Sequence, residues 1–130
     1  MALKKPLKPG SFPKRVGVSL RGLGYAIKSQ RHMRVHLVCT SLIFIVGVYF
    51  GLSTIEWALL ILSVSLVVIT ECVNTAIEIS VDLTTRQYRI RAMLSKDIAS
   101  GAVVLAAVQA LAIGYLLFFH RFITLIKGGC

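Results

Sequence analysis

The sequence predicts an all-α integral membrane protein, in which an N-terminal amphipathic helix at the interface precedes three transmembrane helices. Hydrophobic residues make up 56% of the chain, and they are concentrated in three long blocks. The 15 Lys and Arg residues outnumber the five acidic residues, and most of them flank these blocks. Long apolar blocks with basic flanks are typical of membrane helices and not of a soluble core.

A chain of 130 residues is long enough for one domain at most. Residues 1–13 hold three lysines and three prolines, which predicts a flexible basic arm. Residues 14–130 are then expected to form a single membrane domain. The three cysteines are odd in number and lack motif spacing, so we expect neither a disulfide framework nor a zinc site.

The net charge of +10 indicates a partner with negative charge. Nucleic acid is not expected, because the basic residues flank apolar blocks instead of forming a surface interleaved with aromatic side chains. An anionic membrane surface and a polyphosphate suit this charge better.

Residues 14–34 show the pattern of an amphipathic helix that lies in the cytoplasmic interface of the membrane. The apolar residues of one face are Val16, Leu20, Leu23 and Ile27. Basic residues lie roughly opposite them. A solvated basic helix without membrane contact is the alternative.

The three apolar blocks run over residues 35–52, 57–81 and 98–119. At ~1.5 Å per residue, even the shortest of them reaches roughly 27 Å, which is enough to cross a bilayer. Residues 53–56 form a short link without Lys or Arg, and Trp57 suits the aromatic belt at that end.

The distribution of Lys and Arg predicts the orientation of the spans. Nine of these residues precede the first span and four lie around the second loop, residues 83–97. The first loop has none and the tail has two. The positive-inside rule therefore places the N-terminus and the second loop in the cytoplasm, and the C-terminus outside.

Polar residues form a stripe on the second predicted span: Glu71, Asn74, Thr75, Glu78 and Asp82. At about 100° per residue they fall within one helix face, and the stripe contains three of the five acidic residues. Ionisable groups in a membrane helix are costly and by default mark a functional site. The alternative is that these carboxylates only sit at a solvated helix end.

The motif Ser95-Lys96-Asp97 opens the third predicted span. Ser95 is expected to cap the helix, which would put Lys96 in the first turn, where free N–H groups favour anions. Carboxylates on the stripe could hold Mg²⁺, and Lys96 and Asp97 should return to the same membrane face as Asp82. This set of groups suits phosphoryl transfer, although the chain has neither a P-loop nor a protein-kinase motif.

Two motifs resemble those of the bacterial diacylglycerol kinase family of small membrane lipid kinases, which includes undecaprenol kinases. They are Glu71-x-x-Asn74-Thr75-Ala76-Ile77-Glu78-x-x-Val81-Asp82 and Ser95-Lys96-Asp97-x-Ala99-Ser100-Gly101-Ala102-Val103. The resemblance, over about residues 14–119, implies an oligomeric bundle in a bacterial inner membrane, specifically a homotrimer with active sites between subunits. It also implies ATP as co-substrate, Mg²⁺ as cofactor and a membrane lipid alcohol as substrate.

The resemblance also implies roles for individual residues. Glu71 matches the general base, Glu78 a metal-binding glutamate and Ser100 a lipid-contacting position. The positions that match the ATP site are Asn74, Asp82, Gln87, Tyr88, Arg89, Lys96 and Asp97. Gln30 stands where the family has a second metal-binding glutamate, and it is the second expected metal residue. Its amide oxygen can still ligate a metal or orient water, but it brings no charge to the site. The residues alone did not distinguish Glu71 from Glu78 as the base.

The resulting expectation is an enzyme that phosphorylates the primary hydroxyl of diacylglycerol to give phosphatidic acid. Undecaprenol is the alternative substrate within the same family. A distant alternative is a small proton-coupled transporter in which Glu71 titrates. A structural subunit without chemistry is a third possibility, but it leaves the aligned stripe unexplained.

Overall fold

The computed structural model describes residues 11–84 and 89–127, and all the secondary structure in these ranges is helical. Four helices follow one another: α1 at Phe12–Ser29, α2 at Arg31–Tyr49, α3 at Thr54–Thr84 and α4 at Ile90–Lys127. Helices α2, α3 and α4 are each long and apolar enough to cross a membrane. The predicted architecture, one amphipathic helix and three spans, is therefore confirmed.

The first helix ends earlier than the sequence predicted. An uninterrupted helix was expected over residues 14–34, but α1 stops at Ser29, and Gln30 adopts an extended conformation with φ −98° and ψ 119°. The N–H of Gln30 still closes the last turn on the carbonyl of Ala26, at 2.9 Å. We refer to the break at Gln30, with the helix ends on either side, as the elbow. Met33, in the first turn of α2, is fully buried.

The turn between α2 and α3 is defined by local sequence. Gly51 has φ +61°, a left-handed conformation that glycine adopts without steric cost. The N–H groups of Leu52 and Gly51 bond the carbonyls of Gly47 and Val48, at 3.2 and 3.1 Å, which is a Schellman motif. The helix α2 thus ends with its last carbonyls satisfied.

Helix α3 begins with a capping box. The N–H of Ser53 donates to Glu56 Oε2 at 2.7 Å, and the N–H of Glu56 lies 3.4 Å from Ser53 Oγ. The same Glu56 carboxylate accepts two bonds from the Arg121 guanidinium on α4, at 2.8 and 3.0 Å. This bidentate pair joins the start of α3 to the end of α4.

A hydrophobic cluster surrounds this end of the molecule. Its buried members are Leu52, Leu60, Leu117 and Phe118. Trp57 packs on Phe44 with ring centroids 5.4 Å apart, and Phe50 lies edge-on to Phe122. The cluster holds α2 against the antiparallel pair of α3 and α4, whose contact with each other is the most extensive in the fold.

The prediction of a loop over residues 83–97 is wrong. Helix α3 continues to Thr84 and α4 begins at Ile90, so that only residues 85–89 lie between them. Residues 90–97 lack Gly and Pro and include the good helix formers Arg, Ala, Met, Leu and Lys. A cluster of positive charge marks the end of a membrane span, but it does not end the helix that contains the span.

Candidate functional site

The polar stripe on α3 passes from a buried to an exposed environment. Glu71 and Thr75 are each 4% exposed, and Asn74 is 9% exposed. Glu78, two turns beyond Glu71, is half-buried, whereas Asp82 is exposed. Because the rise is ~1.5 Å per residue, Glu71 lies roughly 10 Å deeper along the helix than Glu78. The stripe thus connects the interior of the bundle with one end of it.

The carboxylate of Glu78 is held by two side-chain amides. Gln30 Nε2 donates to Glu78 Oε2 at 3.2 Å, and Asn74 Nδ2 donates to Glu78 Oε1 at 3.1 Å. Each carboxylate oxygen therefore has one amide donor, one from the elbow and one from α3 itself. An ionised carboxylate only accepts hydrogen bonds, so both amides must turn their nitrogens towards it.

One buried acceptor at this place has no partner. Asn74 Oδ1 is buried and makes no hydrogen bond in the described part of the chain. Buried polar atoms are normally satisfied, so an acceptor of this kind indicates room for a donor or a cation. This oxygen and the Glu78 carboxylate belong to residues one helical turn apart, and both are of the ligand type that hard divalent cations require.

The described residues of one chain supply only part of a cation site. Within residues 11–84 and 89–127, no three His, Cys, Asp or Glu side chains converge in a way that could hold a metal ion. Mg²⁺ in nucleotide-dependent enzymes is commonly bound by one or two carboxylates, with water and substrate phosphates completing its shell. The residues around Glu78 fit that pattern.

Asp82 and Lys96 form an ion pair at the exposed end of the stripe. Lys96 Nζ lies 2.5 Å from Asp82 Oδ1, with 35% and 66% of the two side chains exposed. The predicted convergence of α4 on the acidic face is therefore observed. The predicted cap at Ser95 is wrong, because α4 begins at Ile90, and Lys96 therefore lies beyond the first turn and its free N–H groups.

Other predicted site residues are not brought into this cluster. Asp97 and Ser100 are exposed on α4, and neither takes part in the hydrogen bonds around Glu78. Arg89 precedes α4 and accepts the N–H groups of Ala92 and Met93 with its carbonyl. Gln87 and Tyr88 lie outside the described residues.

An apolar cavity of about 650 Å³ continues the stripe away from Glu78. It is lined by α2, α3 and α4, and Val67, one turn before Glu71, is among its lining residues. On α4 the lining runs from Ala107 to Phe122. The lining is mostly apolar, which suits a hydrocarbon chain, and it comes within one helical turn of Glu71 at Val67.

Sequence reasoning missed the donor role of Gln30. The resemblance implies that the amide oxygen of Gln30 is an uncharged metal ligand, whereas the structure shows its nitrogen on the carboxylate of Glu78. The contact joins positions 48 residues apart, so no local pattern reveals it. The pairing of Glu56 with Arg121 was missed for the same reason.

The sequence pattern of the family described as "Prokaryotic diacylglycerol kinase" matches residues 17–118. A "Diacylglycerol kinase" of Synechocystis sp. is 38% identical over 118 residues, which are 85% of this chain and 67% of the relative. An "Undecaprenol kinase" of Bacillus subtilis is 36% identical over 101 residues, covering 78% of this chain and 82% of the relative. A "Diacylglycerol kinase" of Escherichia coli is 32% identical over 109 residues, covering 84% and 89%.

Proposed function

Because this chain belongs to the prokaryotic diacylglycerol kinase family, we propose that it transfers the γ-phosphoryl group of ATP to the primary hydroxyl of diacylglycerol. The product is phosphatidic acid. The chain is a membrane phosphotransferase of the lipid kinase type, in agreement with its relatives and its three span-forming helices.

One observation carries the proposal for the site. A single face of α3 presents a buried carboxylate, Glu71, and further along an oxygen-rich cluster around Glu78 with an unpartnered acceptor. A lipid hydroxyl approaches from the bilayer and ATP approaches from the cytoplasm. These two substrates must meet on a surface that connects both environments, and this face does so.

Glu71 is the general base in this proposal. The hydroxyl oxygen of the lipid forms a bond to the γ-phosphorus, while the bond between that phosphorus and the ADP oxygen breaks. The hydroxyl proton goes to the Glu71 carboxylate. A base must lie where the hydroxyl lies, and Glu71 is buried beside the cavity whose lining includes Val67.

The nucleotide is assigned to the other end of the stripe. Glu78 and Asn74 Oδ1 are the residues that would hold Mg²⁺, which when bound neutralises charge on the phosphates. Lys96 and Asp97 with Asp82 are proposed to contact ATP, together with Gln87, Tyr88 and Arg89. Support comes from the position of Lys96 on the same side as the acidic stripe, where its ammonium group can pair with a phosphate.

The site is proposed to lie between copies of the chain in a homotrimer. Asp97 and Ser100 are matched to the nucleotide and lipid sites, yet both are exposed and stand apart from the hydrogen bonds of Glu78. A neighbouring copy is a direct way to bring such residues to a site on α3.

Helix α1 is proposed to lie on the anionic cytoplasmic surface of a bacterial inner membrane. Its large apolar side chains are exposed, Phe12 at 80% and Leu20 at 62%, and its basic residues include Arg15 and Lys28. Exposed apolar and basic groups on one helix favour binding at a membrane interface. The N-terminus and the connection at residues 85–89 then face the cytoplasm.

Undecaprenol is the second candidate substrate, since one relative at 36% identity is named an undecaprenol kinase. The two lipids present similar primary hydroxyls, and the apolar lining of the cavity near Val67 does not favour one hydrocarbon chain over the other. The family assignment favours both of these over the proton-coupled transporter.

The experiment that tests the function offers both lipids to purified protein in mixed micelles with labelled ATP. Mg²⁺ is present in one series and replaced by EDTA in the other. We expect phosphate transfer to diacylglycerol that exceeds transfer to undecaprenol and that stops without Mg²⁺. Greater transfer to undecaprenol would reverse the substrate assignment. An absence of transfer to both lipids would contradict the kinase.

A further inference from the structure

Gln30 lies between α1 and α2, and its side chain contacts α3. It is the extended residue of the elbow, with α1 ending before it and α2 beginning after it. Its side chain is half-buried and reaches Glu78 on α3, where Nε2 donates to Oε2 at 3.2 Å. The hydrogen bond therefore fastens the elbow to the polar stripe.

Gln30 provides a hydrogen-bond donor to Glu78. A carboxylate accepts hydrogen bonds, so the amide nitrogen, and not the amide oxygen, must face it. The second oxygen of Glu78 accepts from Asn74, at 3.1 Å. Two neutral amide donors thus bind the two oxygens of the carboxylate, one on each.

A carboxylate at position 30 would have the opposite effect. It would place a negative group where an amide now stands within 3.2 Å of Glu78. Two negative groups at such a distance repel each other, and a cation bound between them offsets the repulsion. The elbow of such a variant should then dock on α3 more firmly with a cation bound than without one.

We propose that Gln30 is a positioning residue, which docks the elbow on Glu78 and orients this carboxylate before any cation or nucleotide is present. The inference rests on the proposed function, because it takes Glu78 as the cation-binding carboxylate. It differs from the expectation that Gln30 is itself a metal ligand. With an amide at this position, the elbow docks on Glu78 whether or not a cation is bound.

The test is thermal unfolding in detergent micelles, with EDTA or with millimolar Mg²⁺. The variants are Gln30→Glu, Gln30→Met, which keeps the length but removes the donor, and Gln30→Lys, which keeps a donor. Ser19→Glu adds the same charge to an exposed position of α1 and serves as the control.

In EDTA we expect Gln30→Lys to unfold at the same temperature as the wild type or higher, Gln30→Met below it, and Gln30→Glu lowest. Mg²⁺ should raise the Tm of Gln30→Glu by roughly 5 °C more than it raises that of the wild type or of Ser19→Glu. A hydrogen bond with only a structural role would leave the response to Mg²⁺ unchanged.

The inference is overturned if, in EDTA, Gln30→Met is as stable as the wild type, which is what loss of a metal ligand alone predicts. It is also overturned if Gln30→Glu responds to Mg²⁺ no more than Ser19→Glu does. If Gln30→Glu does not fold at all, the Tm values of Gln30→Met and Gln30→Lys in EDTA decide the question. A Gln30→Met variant as stable as Gln30→Lys then overturns the inference. The melting temperatures can be measured whether or not the protein transfers phosphate, so failure of this inference and failure of the proposed function can be told apart.

Discussion

Glu71 and Glu78 are the two carboxylates that the sequence could not assign to separate roles. In the structure the two carboxylates differ in burial and in hydrogen-bond partners. Glu78 is half-buried and bound by the amides of Gln30 and Asn74, whereas Glu71 is 4% exposed and lies one turn from the apolar cavity. A group that orients a cation needs fixed partners, and a base needs to meet a lipid hydroxyl. The environments favour Glu78 for the first task and Glu71 for the second.

Lys96 provides a test of the proposed nucleotide site at the scale of one residue. Its pair with Asp82 is exposed, and exposed pairs contribute only about 0–1 kcal/mol to stability. We therefore expect Lys96→Met to leave the Tm nearly unchanged while it raises the KM for ATP about tenfold or more, through loss of a charged contact with phosphate. Steady-state phosphate transfer and thermal unfolding measure the two effects.

The control for this variant is Lys127→Met, at the opposite end of α4. It changes the same charge on the same helix and should leave the KM for ATP unaltered. If both lysine variants have the KM of the wild type, Lys96 does not bind the nucleotide.

The predictable part of the site follows from helical periodicity. The positions of Glu71, Asn74, Glu78 and Asp82 on one face of α3 follow from their spacing, and the structure places them so. Gln30 could not be joined to Glu78 in this way, because the contact spans 48 residues and depends on how two helices dock. Spacing predicts which residues share a helix face, but it does not predict which segment packs on that face.

At the scale of elements, hydropathy predicted three spans, and local sequence determines some of the helix ends. The capping box at Ser53 and Glu56 and the glycine at position 51 are visible in the sequence as local signals. The break at Gln30 is not, because residues 26–34 contain neither Gly nor Pro. The start of α4 was misjudged because Ser95 resembles a cap, although helix-forming residues precede it.

Gly51 tests the account of the turn between α2 and α3. Its φ of +61° is costly for any residue with a Cβ, so Gly51→Ala should lower the free energy of unfolding by about 1–2 kcal/mol. Chemical denaturation in micelles measures the change. The KM values should stay as in the wild type, because the turn lies at the end of α3 opposite to Glu78.

The matched control is Gly22→Ala in α1, where an added Cβ meets no atom within 4 Å. Alanine in the middle of a helix stabilises by roughly 0.5–1 kcal/mol relative to glycine. The two substitutions should therefore have opposite signs. Equal changes in the free energy of unfolding would show that the left-handed conformation of Gly51 does not determine the cost of a Cβ at this position.

At the scale of the whole molecule, the described part of one chain does not bring together all the residues matched to the active site. Hydrogen bonds join Gln30, Asn74 and Glu78, and Glu71 lies two turns further along the same face of α3. Asp97 and Ser100 are exposed and take no part in these bonds. In the proposed homotrimer, a neighbouring copy would supply these two side chains. Helical periodicity by itself does not indicate such a division, because it carries no information on which copy supplies a given side chain.

Co-expression of two inactive variants tests a site between subunits. Glu71→Gln and Asp97→Ala should each have little activity alone. In mixed oligomers about one site in four should receive Glu71 from one copy and Asp97 from the next, so that phosphate transfer returns in part.

The control pair is Glu71→Gln with Glu78→Gln. Both residues belong to the same face of one α3, so mixing these two variants should restore no activity. Failure of the first pair to recover, at matched expression, would contradict the shared site.

The most direct test of the central claim is to measure phosphate transfer and Mg²⁺·ATP binding for Glu71→Gln, beside Glu78→Gln. The account predicts that Glu71→Gln reduces transfer to diacylglycerol by about 10²–10⁴-fold, the usual contribution of a general base, while nucleotide binding stays close to that of the wild type. Glu78→Gln should instead weaken Mg²⁺·ATP binding. Near-normal transfer by Glu71→Gln would contradict the claim that this buried carboxylate takes the proton of the lipid hydroxyl.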